Sequence, residues 1–159
     1  MSSLQKEDIN LILKEIAQSN NILSYSKKEV LVLLNGKTTF FFYDKKELMG
    51  LSAYKKINKD WVELALLLVV SQYRKQGYGK KIYKELLEHL KERNIYCCSR
   101  NSTVQGWLRD DGFRAVSFYK LPKEFFIYLF KTKIKLYKLK DLIKQDLPSN
   151  WKYYLRFRN

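Results

Sequence analysis

Apolar residues recur along the chain with two different periods. Ile9, Ile12, Leu13 and Ile16 fall at i, i+3, i+4 and i+7, the spacing of one helix face. This predicts a helix over residues 4–18, with Ser2 or Ser3 to cap its start. Residues 29–34 read as a strand. Asn35-Gly36 follows, and both residues tolerate positive φ, so a hairpin turn is expected there. Residues 37–43 form the returning strand, Asp44-Lys45-Lys46 turns the chain, and residues 47–57 are a third strand. After Asn58-Lys59-Asp60, residues 61–70 run almost without a polar break. Such a run marks a strand buried on both faces.

The helical period returns at residues 80–93, where Ile82, Leu86, Leu87 and Leu90 share one side. Residues 95–98 make a short strand, and residues 101–111 a short helix stopped by Gly112. A strand over 113–120 is broken by Pro122. Residues 125–136 read as another strand, 139–147 as a short helix before Pro148, and 151–157 as a last strand. Antiparallel hairpins followed by strand–helix–strand–helix–strand predict an α/β (α+β) fold, with one mixed, mostly antiparallel sheet flanked by helices. No repeat or flexible linker interrupts the 159 residues, which read as one domain over 1–159 with a basic, aromatic C-terminal extension at 133–159.

Composition narrows the class. A chain that is 46% hydrophobic with two prolines is globular. No apolar run has the roughly 18–20 residues that cross a bilayer. The first residues are polar, without a basic-then-apolar leader, so a cytoplasmic location is expected. Cys97 and Cys98 are neighbours, and His89 is the one histidine. Neither a disulfide framework nor a metal site is expected from that set. The formal charge is +15, a field that attracts polyanions.

Residues 69–80, Val-Val-Ser-Gln-Tyr-Arg-Lys-Gln-Gly-Tyr-Gly-Lys, carry the candidate chemistry. A strand ends, an Arg-x-x-Gly-x-Gly loop follows, and a helix starts. Helix starts leave N–H groups unpaired and carry partial positive charge. A pyrophosphate can accept from them where the backbone comes close, and Gly77 and Gly79 remove the Cβ atoms that would block it. Lys75, Lys80 and Lys81 add charge. An ordinary strand-to-helix turn that needs two glycines would look the same. The loop is neither the Gly-x-Gly-x-x-Gly dinucleotide fingerprint nor a Walker loop, which needs Gly-Lys-[Ser/Thr].

Arg74, Gly77 and Gly79 resemble motif A of the GCN5-related N-acetyltransferases, the GNAT family, written [Gln/Arg]-x-x-Gly-x-[Gly/Ala] between a long strand and a helix. A second match lies downstream, where Asn101 is followed at eleven and twelve residues by Gly112-Phe113. The resemblance covers roughly residues 47–120. It implies the GNAT fold and acetyl-CoA as co-substrate. The strand at 61–70 would splay from the strand at 95–98 to admit the pantetheine arm. The backbone of Leu67, Leu68 and Val69 would bond that arm, and an N–H near Leu67 would polarise the thioester carbonyl. The amides of Lys75, Gln76, Gly77, Tyr78, Gly79 and Lys80, after Arg74, would take the pyrophosphate. Asn101 would bond pantetheine near its thiol end. The family's frequent tyrosine, its usual general acid, falls at Leu108, which has no proton to give. Tyr73, Tyr78 and Tyr96 are alternatives by residue type.

Direct acyl transfer to an amine needs a base and a dipole for the oxyanion. Glu63, eleven residues before Arg74, sits where histone-type members carry their catalytic glutamate; a salt bridge to a nearby lysine is the competing role. Three functions are consistent with these residues: an N-acyltransferase acting in a ternary complex, a GNAT-fold protein that binds acyl-CoA without turnover, and a nucleic-acid-binding module. The last rests on residues 120–159, where eleven Lys or Arg stand against three acids, and Lys131, Lys133 and Lys135 share a strand face by period two, opposite Phe130, Ile134 and Leu136; a last strand and helix with solvated lysines would look the same. RNA or another polyanion is the partner that stripe would take, an amine on an anionic carrier such as aminoacyl-tRNA suits the field better than a polyamine, and a homodimer is one assembly open to the chain.

Overall fold

The structure, a computed structural model, describes residues 4–19, 25–117, 120–132 and 152–158. Helix α1 (Lys6–Ala17) starts after Gln5, whose amide donates to the Asp8 carboxylate at 3.3 Å. The expected caps, Ser2 and Ser3, lie outside the described residues. Helix α2 (Lys27–Leu34) occupies the segment expected to be a strand. Ser26-x-x-Glu29 is a capping box: Ser26 Oγ accepts from the Glu29 amide, and the Ser26 amide donates to Glu29 Oε2 at 2.8 Å. Val30, Leu33 and Leu34 then bury one helical face. Asn35-Gly36 is therefore a helix end rather than a hairpin turn, with the Asn35 amide on the Leu31 carbonyl and Gly36 on Leu33.

Strands β1 (Thr39–Asp44) and β2 (Glu47–Lys56) form an antiparallel hairpin closed through Lys45, which takes a positive φ of 52°. Strand β3 (Trp61–Val69) leads through a 3-10 turn (Ser71–Tyr73) to helix α3 (Tyr78–His89), then β4 (Asn94–Ser99) and helix α4 (Ser102–Asp110). The expected strand at 113–120 is only three residues, β5 (Arg114–Val116). Helix α5 (Lys123–Thr132) replaces the strand expected at 125–136, and β6 (Lys152–Arg156) is the last element. Pro122 explains the start of α5, since a proline before the first turn forfeits no helical bond, and its carbonyl accepts from Phe125 at 2.9 Å. Residues 133–136 and the helix expected at 139–147 lie outside the described residues.

Among the described residues, six strands are hydrogen-bonded in the order β1-β2-β3-β4-β6-β5. β3 and β4 are parallel; the pairs β1–β2, β4–β6 and β5–β6 are antiparallel. The sheet is thus the mixed, mostly antiparallel one expected.

The chain resolves into two compact units. The first, Met1–Lys55 with Leu64–Glu92, has a core that includes Ile12, Val30, Leu34, Leu51, Leu66 and Leu68. Gly50 is required there: a Cβ on it would lie 2.4 Å from the Leu68 carbonyl oxygen and 2.9 Å from Ile82 Cδ1. Its absence lets α3 rest directly on β2. The second unit, Lys56–Glu63 with Arg93–Asn159, packs Tyr96, Leu121, Phe125 and Leu155, with Trp61 and Tyr128 against them. β3 is less enclosed than a doubly buried strand: Val62, Glu63, Leu66 and Leu68 are buried, and its other residues half-buried.

Candidate active site

In the first unit, β3 ends at Val69 and the Val70 amide donates to the Met49 carbonyl. The chain then winds through the 3-10 turn, with Tyr73 bonded back to Val70 and Arg74 to Ser71. Lys75 (φ 61°) and Gly77 (φ 84°) are both left-handed. Left-handed residues in a turn aim successive N–H groups into one concavity, which suits an anion. The amides of Lys75, Gln76, Gly77, Tyr78 and Gly79 meet no acceptor among the described residues, whereas those of Lys80 and Lys81 donate to the Gly77 carbonyl. Five orphan donors therefore precede the first helical bonds of α3, at the positive end of its dipole. The lysine side chains at 75, 80 and 81 are exposed around them.

Arg74 faces the other way. Its Nη2 pairs with the Glu15 carboxylate, and its Nε donates to the Val69 carbonyl at 3.0 Å. Glu15 is 4% exposed and also accepts from the Ser71 amide (3.0 Å) and hydroxyl (2.7 Å). Burial pushes the Glu15 carboxyl up, but the Ser71 bonds and the Arg74 charge outweigh it and hold it below the usual carboxylate range. The motif arginine thus ties the loop to α1. Tyr73 donates to Glu47 at 2.6 Å, which raises its phenol, and stacks edge-on against Tyr78.

In the second unit, β3 pairs with β4 from Trp61↔Asn94 to Glu63↔Tyr96. Glu63 is 2% exposed, and Tyr128 of α5 donates to its Oε2 at 2.6 Å. Tyr96 is wholly buried, its hydroxyl has no hydrogen-bond partner among the described residues, and burial above all pushes it up, followed by nearby Cys98 and Glu63. Asn101 is the N-cap of α4: its Oδ1 accepts from Thr103 (3.0 Å) and Val104 (3.2 Å). Gln105 reaches back to the Ser99 carbonyl at 2.9 Å.

The downstream Gly-Phe pair ends this helix. Gly112 is left-handed (φ 77°), its amide donates to Arg109, and the Phe113 amide donates to Leu108, the two bonds of a Schellman motif. Phe113 and Leu108 are both buried, Leu108 completely. The position of the family's tyrosine is here a core position.

Of the residues named from sequence, Leu67, Leu68, Val69 and 74–80 belong to the first unit, and Glu63 and Asn101 to the second. Sequence reasoning did not name Glu15 and Ser71, although an acid one turn past Ile12 on the apolar face of α1 was a visible signal. It missed Tyr128 because an aromatic run read as a strand hid the helical spacing. Cys97 is buried and Cys98 half-buried, and neither is in a disulfide. Exposed His89 stacks edge-on against Phe40, with ring centroids 4.7 Å apart. Among the described residues no cluster could hold a metal ion, and no helix is long and apolar enough to cross a membrane. Lys133 and Lys135 lie outside the described residues, and Lys131 belongs to α5.

Residues 11–121 match the sequence model of the Acetyltransferase (GNAT) family. No curated protein matches the chain. Among solved structures it is similar to an N-acetylglutamate synthase from Neisseria gonorrhoeae complexed with coenzyme A and N-acetyl-glutamate, with TM-score 0.68 and 18% identity over 99% of this chain and 34% of that one. It is also similar to a Mycobacterium tuberculosis protein in complex with CoA (TM-score 0.69, 14% identity, 96% of each chain). A ribosomal-protein-alanine N-acetyltransferase from Escherichia coli matches at TM-score 0.61 and 13% identity, over 97% of this chain and 88% of that one. The chain spans about a third of the synthase's length. At these identities the likeness shows the fold.

Proposed function

The chain belongs to the GNAT family of acetyltransferases, and from that premise we propose that it moves an acetyl group from acetyl-CoA to a primary amine by direct attack in a ternary complex. The observation that carries this reading is the row of five orphan amides, Lys75 to Gly79, in a loop held open by two left-handed residues. They fit the diphosphate of coenzyme A, with the Lys75, Lys80 and Lys81 side chains adding charge. The Lys80 amide donates to Gly77, so Lys80 contributes through its ammonium group. Leu67, Leu68 and Val69, on the stretch of β3 past its last pair with β4, offer main chain to the pantetheine arm. Relatives solved with coenzyme A support the same ligand.

In the transfer, the amine nitrogen attacks the thioester carbon and its proton passes to the Glu63 carboxylate. The tetrahedral intermediate collapses, the C–S bond breaks, and the thiolate leaves. An ordinary thiol has a pKa of about 8.5. Its thiolate can therefore depart without a protein acid and take a proton from water, which removes the need for a tyrosine at Leu108. Calorimetry with CoA tests the cradle. Thiol release from acetyl-CoA with L-glutamate, an alanine-terminated peptide and a lysyl peptide tests the chemistry. Glu63→Gln is expected to lower turnover by about 10²- to 10⁴-fold, the range of general base catalysis, with CoA affinity intact. No heat with CoA would overturn the cradle, and full turnover by Glu63→Gln would overturn the base.

A further inference from the structure

Helix α5 begins just beyond the residues that match the family, yet it delivers a side chain to Glu63. Phe125, on its first turn, is wholly buried, with its ring centroid 5.0 Å from Trp61 and 5.0 Å from Tyr96. Trp61 lies two residues before Glu63 on β3, and so on the same sheet face. Tyr96 is the residue paired with Glu63 across β4. α5 is thus fastened to the strands at the neighbours of Glu63. Tyr128 follows Phe125 by three residues, one turn along the same helix face. That spacing sets its hydroxyl 2.6 Å from Glu63 Oε2.

We propose that Tyr128 is a positioning residue for acetyl transfer: its hydroxyl donates to Glu63 and fixes the carboxylate where the acceptor's proton is taken. This rests on Glu63 being the base. A glutamate has three side-chain torsions with several wells each, and at 2% exposure water does little to orient this one. A short O–H···O⁻ bond is among the strong ones and selects one placement. A misplacement of about 1 Å in a reacting group can cost about 10²-fold in rate. The effect should therefore fall on kcat and leave acetyl-CoA binding alone, because the cradle residues belong to the other unit.

The test compares Tyr128→Phe, Glu63→Gln and the double variant in thiol release from acetyl-CoA with the three-amine panel above. Tyr128→Phe is expected to lower kcat by roughly 10- to 100-fold, with KM for acetyl-CoA and CoA affinity unchanged. In the Glu63→Gln background it should cost nothing further, and Tyr128→His, which keeps a ring donor, should recover part of the loss. Glu63→Gln crippled with Tyr128→Phe within about twofold of wild type overturns the proposal alone. So does a full additional loss in the double variant, which marks a merely structural contact. Glu63→Gln at wild-type rate, or no turnover with any amine, overturns the base and this role together. Should Tyr128→Phe fail to fold, proton NMR of the wild-type protein decides. An exchange-protected Tyr128 hydroxyl resonance that Glu63→Gln abolishes supports the proposal, and its absence overturns it.

Discussion

Glu15→Gln isolates the tie between the loop and α1. The carboxylate accepts from the Ser71 amide and hydroxyl and pairs with Arg74. Glutamine keeps the shape and one acceptor oxygen but loses the charge, and it turns an NH₂ group toward one of these donors. Hydrogen bonds to charged groups are worth about 1.5–3 kcal/mol each. The Arg74 side chain is 47% exposed, which places its share near the 1 kcal/mol typical of solvent-screened pairs. Loss of that pair and weakening of one Ser71 bond come to about 2 kcal/mol. If the whole loss appears as disorder of residues 71–77, CoA affinity falls about 30-fold, at about 1.4 kcal/mol per factor of ten; partial reordering by the ligand leaves about tenfold. Urea denaturation and CoA calorimetry read the two quantities. The pH dependence has a definite sign. Because the folded Glu15 carboxyl is held down, its stabilisation is complete above its unfolded value of about 4.3 and is lost as pH falls through the folded value. Wild type should lose stability more steeply than Glu15→Gln as pH falls below the unfolded carboxyl value. A variant with an unchanged urea midpoint and CoA affinity within twofold of wild type would show that the loop needs no such tie.

Gly50→Ala should destabilise the first unit by about 1–3 kcal/mol, the cost of overpacking, because its Cβ would meet the Leu68 carbonyl at 2.4 Å; a melting temperature equal to wild type refutes this. Leu108→Tyr, which restores the family's tyrosine, should likewise cost about 1–3 kcal/mol and give no gain in turnover, since the site is wholly buried; thermal melts and thiol release together decide it. Asn101→Asp keeps the cap oxygen and should match wild type in stability, whereas Asn101→Ala should cost about 1 kcal/mol. A fall in CoA affinity in both variants would reveal a contact through Nδ2, and equal affinity would confine Asn101 to the helix cap.

Much of this fold was legible because β2, β3, α3, β4 and α4 each satisfy one period cleanly, and their edges carry strong punctuation. The turn into α3 was legible for a physical reason too: the positive φ at residue 77 favours glycine. Two segments misled. Residues 29–34 are β-branched and leucine-rich, so their local preference is ambiguous, and Ser26, which completes the capping box with Glu29 and decides for helix, lies outside that window. Residues 125–130 are aromatic and strand-prone, but Phe125 and Tyr128 gain more by burying one helical face against Trp61, Tyr96 and Glu63. No local pattern encodes that outcome. The contacts of Glu15 and Tyr128 join residues 56 and 65 positions apart, beyond any window.

Those long-range ties change what the signature residues do. Arg74 carries the family's first motif, yet its guanidinium is bound to Glu15 and the Val69 carbonyl. Asn101 opens the second motif, and its side-chain oxygen is occupied by two amides of its own helix. Gly112 and Phe113 close it, and their work is to stop that helix over Leu108. Each is accounted for by a bond that shapes main chain. What remains unaccounted for is the main chain itself, five consecutive N–H groups between Arg74 and Lys80. An anion held by amides makes little demand on side-chain identity beyond the residues that bend the backbone and anchor its ends. That physical economy is consistent with a chain only 13–18% identical to the three structures compared with it aligning over nearly its full length. It also locates where a substitution would do harm: less at the exposed lysines than at Glu15, Gly50 and Gly77, which hold the amides in place.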